Sequence, residues 1–178
     1  MHVSGTTPYP WPYDGELAGA GTALLVVLPV GAEPAEAVGP LAAAVRAARG
    51  TVITVRTTAP GVEHDGVPLL ADVEVAAGGV DGFYASDLDL VLRTGRVRRL
   101  LLAGVGLETC VHSTMRDAND RGYECLLVLD ACVPVDASLV PASVSSIEMS
   151  GGIFGAVGTC AAVITALSRL PEPVGVLT

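Results

Sequence analysis

The sequence predicts an α/β protein: a three-layer, Rossmann-like fold in which a central parallel sheet of about six strands is flanked by helices. Three observations lead there. Aliphatic runs such as TALLVVL at 22–28, TVITVR at 51–56 and ECLLVLD at 124–130 have the pattern of strands covered on both faces. These runs alternate with helical segments, an order that gives a parallel sheet carrying helices on both sides. The 178 residues are 51% hydrophobic but only 4% aromatic, so the core must be assembled from Ala, Val and Leu. That suits aliphatic strands against Ala-rich helices.

Each element has its own warrant. Residues 1–21 include Pro8, Pro10, Trp11, Pro12 and Tyr13, cannot hold a regular helix, and are expected to wrap the surface as an extended arm. After the strand at 22–28, residues 35–49 form an Ala-rich helix, with Gly50 as its expected left-handed stop. The strand at 51–56 leads into a loop over 57–72, marked by Pro60, Gly61, Gly66 and Pro68, and then into a short strand at 73–76. Ser86, followed by Asp87 and Asp89, starts a helix, because a hydroxyl cap and early carboxylates answer unpaired amides. That helix ends at Gly95. A strand at 98–103, a helix at 109–121 closed by Gly122, the strand at 124–130 and a helical segment at 136–149 follow. A last strand at 153–157 and a helix ending near Arg169 complete a single domain over 1–178. In such a sheet ligands sit beyond the carboxyl ends of the strands.

Composition removes several function classes. The net charge of −9 argues against a nucleic-acid surface, which needs clustered cations. All ten basic residues are Arg, so the chain has no lysine. The first of them is Arg46, so no charged segment precedes an apolar stretch and no secretory leader is expected. The uncharged run at 17–32 is too short to span a membrane and is broken by Pro29, and the run at 149–168 is diluted by Gly, Ser and Thr. Cys110, Cys125, Cys132 and Cys160 show no metal-ligand or redox spacing, so neither metal nor cofactor is expected, and a reducing cytoplasmic setting is.

The strand ends gather Leu28, residues 75–79, residues 104–110 and Asp130 at one edge. Cys110 falls at the first turn of a helix, after a glycine-bearing loop. Helix amides and the positive end of the helix dipole there favour a thiolate and can hold an oxyanion. Simple core packing beside Val111 is the competing explanation.

The run FYASDLDLVLRTGRVRRLLLAGVGLETCVHSTMRDANDRGYECLLVLDAC at 83–132 resembles the isochorismatase-like cysteine hydrolases, especially the branch acting on ureido and amide substrates. SSIEMSGGIFGAVGTCAAVITAL at 145–167 and PYPWPYDGEL at 8–17 are similar to the same branch, so the likeness covers about 8–28 and 72–168. It implies a Cys nucleophile, an Asp base ending the first strand, and a Lys from a later strand. Cys110 matches the nucleophile. The resemblance also implies a cis peptide near Gly106 and Leu107 that aims amides at the oxyanion. Leu28 stands where the Asp is expected and Ala77 where the Lys is, and the absence of lysine excludes a shifted replacement. Leu28, Ala77 and Tyr84 are expected to line the pocket.

Two carboxylates are candidate substitutes. Glu108 lies in the turn and could approach the thiol or merely stabilise the helix start; Asp130 could serve as a base or cap the following loop. His112, two helical positions from Cys110, points about 200° away and is expected to be packed or solvent-facing. His64 is expected to be exposed, and Tyr84 and Ser86 line the pocket or serve packing and capping.

Two functions stay open. One is a divergent enzyme using Cys110 on an amide, ureido or acyl-type small molecule. The other is a non-catalytic member that binds a ligand or assembles, as a homo-oligomer or with an active paralogue. A missing base costs about two to four powers of ten, so normal hydrolysis is not expected. Lacking both partners, Cys110 is expected to alkylate slowly, like an ordinary thiol.

Overall fold

Alternate residues of a strand face opposite ways, so a strand with no polar alternation must be covered twice. Thr22–Pro29 (β1) meets that requirement: it pairs with a strand on each side and is buried up to its last residue. The computed structural model describes residues 17, 19–58, 71–152 and 154–169. Most of the arm expected over 1–21, the body of the 57–72 loop with His64, and Ile153 of the expected last strand lie outside the described residues.

β1 is followed by α1 (Val38–Ala47), β2 (Thr51–Thr57), β3 (Val73–Ala77), α2 (Leu88–Thr94) and β4 (Arg99–Val105). A π turn (Leu107–Val111) runs into α3 (His112–Asp120), then come β5 (Glu124–Val133), a short turn of 3-10 helix (Ala137–Leu139), α4 (Val140–Gly152), β6 (Ala156–Gly158) and α5 (Cys160–Ser168). The strands form one six-stranded parallel sheet in the order β3-β2-β1-β4-β5-β6. The order reverses between β1 and β4, which makes the carboxyl end of that pair the switch point where α/β sheets hold ligands.

The strand pleat divides the core in two. Ala23, Leu25 and Val27 pack with Leu88 and Leu92 of α2, Val111, Met115 and Ala118 around α3, and Ile147 of α4. Leu24, Val26 and Leu28 pack on the other face with Val38, Leu41 and Val45 of α1 and Val163 and Leu167 of α5. Each fully buried Leu contributes about 1.5–3 kcal/mol, so both helical layers are held by the sheet rather than by their own propensity.

Two local expectations are corrected. The residue that turns left-handed after α1 is Arg49, at φ 65°, and not Gly50. Gly50 is needed for space instead: a Cβ there would lie 2.7 Å from Val45 Cγ1 and 2.9 Å from the Thr22 carbonyl oxygen. The helix also begins at Val38 rather than 35: the Ala35 and Glu36 carbonyls accept only turn bonds from Val38 and Gly39, and the Ala37 carbonyl is the first to accept an i+4 amide. Among the described residues, no helix is long and apolar enough to cross a membrane.

Candidate active site

β4 and β1 come into backbone contact at the switch point. Gly104 has φ 142°, and a Cβ on it would lie 1.9 Å from the Val27 carbonyl oxygen, so no side chain fits. The chain then turns at Gly106, left-handed at φ 79° and ψ 57°. The Gly106 carbonyl accepts the Thr109 amide at 3.0 Å and the Val111 amide at 3.0 Å. The second bond reaches back five residues and makes this first turn a π turn. Leu107, Cys110 and Val111 are its buried members on the α3 side of the sheet, and Cys110 is 7% exposed. The Thr109 hydroxyl reaches both the Gly106 carbonyl at 3.3 Å and the Cys110 Sγ at 3.8 Å. The described peptide bonds are all trans, so the cis bond implied near Gly106 and Leu107 is not present; the left-handed glycine turns the chain instead.

A hydroxyl fixes the turn from behind. Thr114 Oγ1 donates to the Cys110 carbonyl at 2.7 Å and accepts the Gly82 amide at 2.9 Å. Thr114 is fully buried, and this bridge ties the Cys110 turn to the segment that follows β3. Ala77, the last residue of β3, is buried in the same cluster as Cys110.

The other expected pocket residues diverge. Leu28 is fully buried in the cluster on the opposite face, with α1 and α5, because it is one pleat step past Val27. It does not join Cys110. Tyr84 is 64% exposed, with its ring over Gly79, where a Cβ would lie 3.0 Å from the ring. Its carbonyl accepts the Gly78 amide at 2.9 Å, and the hairpin-like return through left-handed Ala85 turns the ring outward. Ser86 does cap: its hydroxyl accepts the Leu88 amide at 3.3 Å and donates to the Gly82 carbonyl at 2.6 Å.

Both candidate substitute carboxylates are engaged elsewhere. The register between β4 and β5 jumps from Leu102 opposite Leu127 to Gly104 opposite Cys132, and Asp130 stands in the bulge this creates. Its Oδ1 accepts the Cys160 amide at 2.7 Å, at the start of α5. Burial first, and then Asp130, push the Cys160 thiol up to about 12. Asp130 is therefore a helix cap on the far side of the sheet from Cys110. Glu108 accepts the Val135 amide at 3.0 Å on Oε2 and the Asp136 amide on Oε1. Burial tends to raise its pKa, but backbone amides outweigh that and hold it below the ordinary carboxylate value, which suits an anchor better than a base.

His112 is half-buried, and its Nε2 accepts Arg116 Nε–H at 3.3 Å. Arg116 also donates to Ser146 Oγ at 2.7 Å and lies over the Phe154 ring. Burial and then the Arg116 charge lower the imidazole pKa, keeping it neutral. One residue the sequence reading passed over belongs to this edge. Thr57, placed in the loop by that reading, is the last residue of β2 and stands opposite Ala77. The signal was the period of two: Ile53 and Val55 face the Cys110 side, and Thr57 continues their row.

Comparison with known proteins gives this site its context. The isochorismatase domain family matches residues 28–162. A ureidoacrylate amidohydrolase, RutB, of Variovorax paradoxus is 34% identical over 93 residues, 52% of this chain and 36% of that protein. The isochorismatase family protein YddQ of Bacillus subtilis is 32% identical over 88 residues, covering 46% and 49%. The chain thus spans between about a quarter and a half of the length of these and other curated relatives it matches. A cysteine hydrolase from Pseudomonas syringae shares the fold at a TM-score of 0.73 and 24% identity, over 94% of this chain and 99% of that one. N-carbamoylsarcosine amidase from Thermoplasma acidophilum does so at 0.59 and 22%, over 78% and 96%. With the family matched over most of its length and its fold shared, this chain belongs to the isochorismatase domain family.

Proposed function

We propose that this chain keeps a Cys110-centred site for an amide, ureido or acyl-type small molecule and has given up ordinary hydrolytic turnover. The observation that carries this reading is the engagement of both candidate carboxylates away from Cys110. Glu108 is spent on the amides of 135 and 136, Asp130 caps α5, and Ala77 stands at the position where the family resemblance implies lysine. A thiol without a base loses about two to four powers of ten in rate, and losing the activating group as well adds a further, non-additive penalty. The similarity to a ureidoacrylate amidohydrolase supports the ligand class, and a single cytoplasmic domain is part of the same reading.

The test is steady-state turnover of ureidoacrylate and simple primary amides by the wild type and by Cys110→Ala. We expect no Cys110-dependent turnover approaching the enzyme median of about ten per second. Such a turnover would overturn the reading and show that another base had been recruited. A second reading, a binding or assembly partner that associates with itself or with an active paralogue, is favoured by exposed apolar side chains. Val135, Leu139 and Met149, on α4 and the segment before it, are 73%, 46% and 52% exposed. Sedimentation of the pure chain, alone and with an active family member, measures it; a monomer under both conditions would remove it.

A further inference from the structure

Thr57 presents a buried hydroxyl that no described residue satisfies. The residue is 2% exposed, and its Oγ1 has no hydrogen-bond partner among the described residues. Its neighbour Thr58 shows the usual outcome, donating from Oγ1 to the Ala77 carbonyl at 3.1 Å. A buried hydroxyl left unpaired is costly, and such exceptions concentrate where a ligand supplies the missing partner.

The position of Thr57 follows from the pleat and the helix. Val55 faces α3: a Cβ on Gly82 would touch both Val55 Cγ1 and Thr114 Cγ2 at 3.1 Å, so Val55 and Thr114 lie at one level. Two residues along β2 carry Thr57 about 6.6 Å further towards the carboxyl edge on the same face. Four residues back along the helix, which runs against the strands, carry Cys110 about 6 Å in the same direction. Thr57 and Cys110 therefore stand one step above a shared level, across the crevice from each other. Ala77, opposite Thr57 in the register on the edge strand β3, flanks it on the side away from β1 and carries only a methyl, while Pro29 at the end of β1 is its partner on the Cys110 side.

We propose that Thr57 Oγ1 is the polar anchor of the Cys110 site, donating a hydrogen bond to the carbonyl oxygen of a neutral carboxamide or ureido group held before the thiol. This rests on the small-molecule reading above and narrows it. A neutral group fits because the described neighbours of Thr57 in its row and register, Val55, Pro29 and Ala77, are aliphatic. The cation nearest in sequence, Arg56, faces the other way, bonded to Glu74 at 3.3 Å and to the Ala32 carbonyl at 3.0 Å. A hydroxyl satisfies a carbonyl without burying an uncompensated charge.

The experiment compares alkylation of Cys110 by iodoacetamide, whose amide can bind Thr57, with modification by methyl methanethiosulfonate, which has no carbonyl. In the first reaction the thiolate sulfur displaces iodide from carbon; in the second it displaces methanesulfinate from sulfur. Rates are read at Cys110 by peptide mass spectrometry on the folded chain. In Thr57→Val the iodoacetamide rate should fall about three- to tenfold relative to the other reagent, the effect of one hydrogen bond. Thr57→Ser should restore it. The thermal midpoint of Thr57→Val should equal or exceed the wild type's, since no bond to a described residue is lost. Equal rate ratios in wild type and Thr57→Val would overturn the anchor while leaving the Cys110 site intact, and so would a valine variant that unfolds at clearly lower temperature. A Cys110 that resists both reagents until the chain is denatured would overturn the site and the anchor together.

Discussion

Asp130→Ala separates a helix cap from a catalytic base. In the structure the Asp130 carboxylate meets the Cys160 amide at 2.7 Å, while the Thr159 hydroxyl takes the Ala162 amide at 3.3 Å. Together they serve the first turn of α5, whose Val163 and Leu167 seal one face of the core. A hydrogen bond to a charged group is worth about 1.5–3 kcal/mol, and a helix cap about 0.5–2. Asp130 is exposed, so water replaces part of what is lost, and about 1.5 kcal/mol is the expected cost. For a domain of this size that lowers the melting midpoint by about 3–6 °C in a calorimetric or circular dichroism melt at neutral pH. Asp130→Asn keeps an acceptor but not the charge and should lose about half as much. The Cys160 thiol, pushed up to about 12 by burial and by this carboxylate, should titrate lower in the alanine variant while remaining above its ordinary value. The reasoning is refuted if Asp130→Ala melts like the wild type, or if Asp130→Asn melts normally yet abolishes a Cys110-dependent reaction.

Two further perturbations test charges near the site. Glu108→Gln should cost about 1 kcal/mol at neutral pH, because an amide oxygen replaces one acceptor of two and brings no charge. The Glu108 pKa is held below its ordinary 4.5, so its stabilisation is present above that pH and lost as pH falls below it. The gap between wild-type and variant urea midpoints should therefore close in acid; a gap that widens there would refute the anchor. His112 has a pKa lowered from 6.5, so its contribution is present above that value and lost as pH falls through and below it. Asp81 works oppositely: burial and Asp117 raise it to about 6, so its stabilisation fades as pH rises from 3.8 to about 6. Comparing urea midpoints of the wild type and His112→Gln across that range isolates the imidazole, and identical pH profiles would refute its role.

The strands were legible because burial on both faces leaves an unmistakable aliphatic run, and the glycine and hydroxyl signals located most helix ends. What the sequence withheld was direction. The family resemblance set Leu28 beside the nucleophile by counting along β1, but a strand changes face at every residue, and that count lands on the α1 side. Asp130 was read at the right edge of the sheet, yet the bulge in β5 turns it to α5. Glu108 lies in the right turn but finds the amides after β5, partners distant in sequence that no local pattern announces. Thr57 was hidden by the reverse error: two threonines before a proline looked like loop, although the alternation begun at Ile53 continues through the first of them.

The π turn before α3 holds one residue more than an α-helical turn would need to cover the same ground. That surplus makes the segment between Gly106 and Val111 tolerant to length. A one-residue deletion there can be absorbed by relaxing to an ordinary helical turn, with Val111, Met115 and Ala118 still facing the sheet. The same deletion within α3 would rotate everything on one side of it by about 100° and pull that ridge out of the core. The scaffold thus lets the thiol's placement drift separately from stability. On this scaffold the Cys110 thiol can be re-aimed by a single codon without unfolding the domain that carries it.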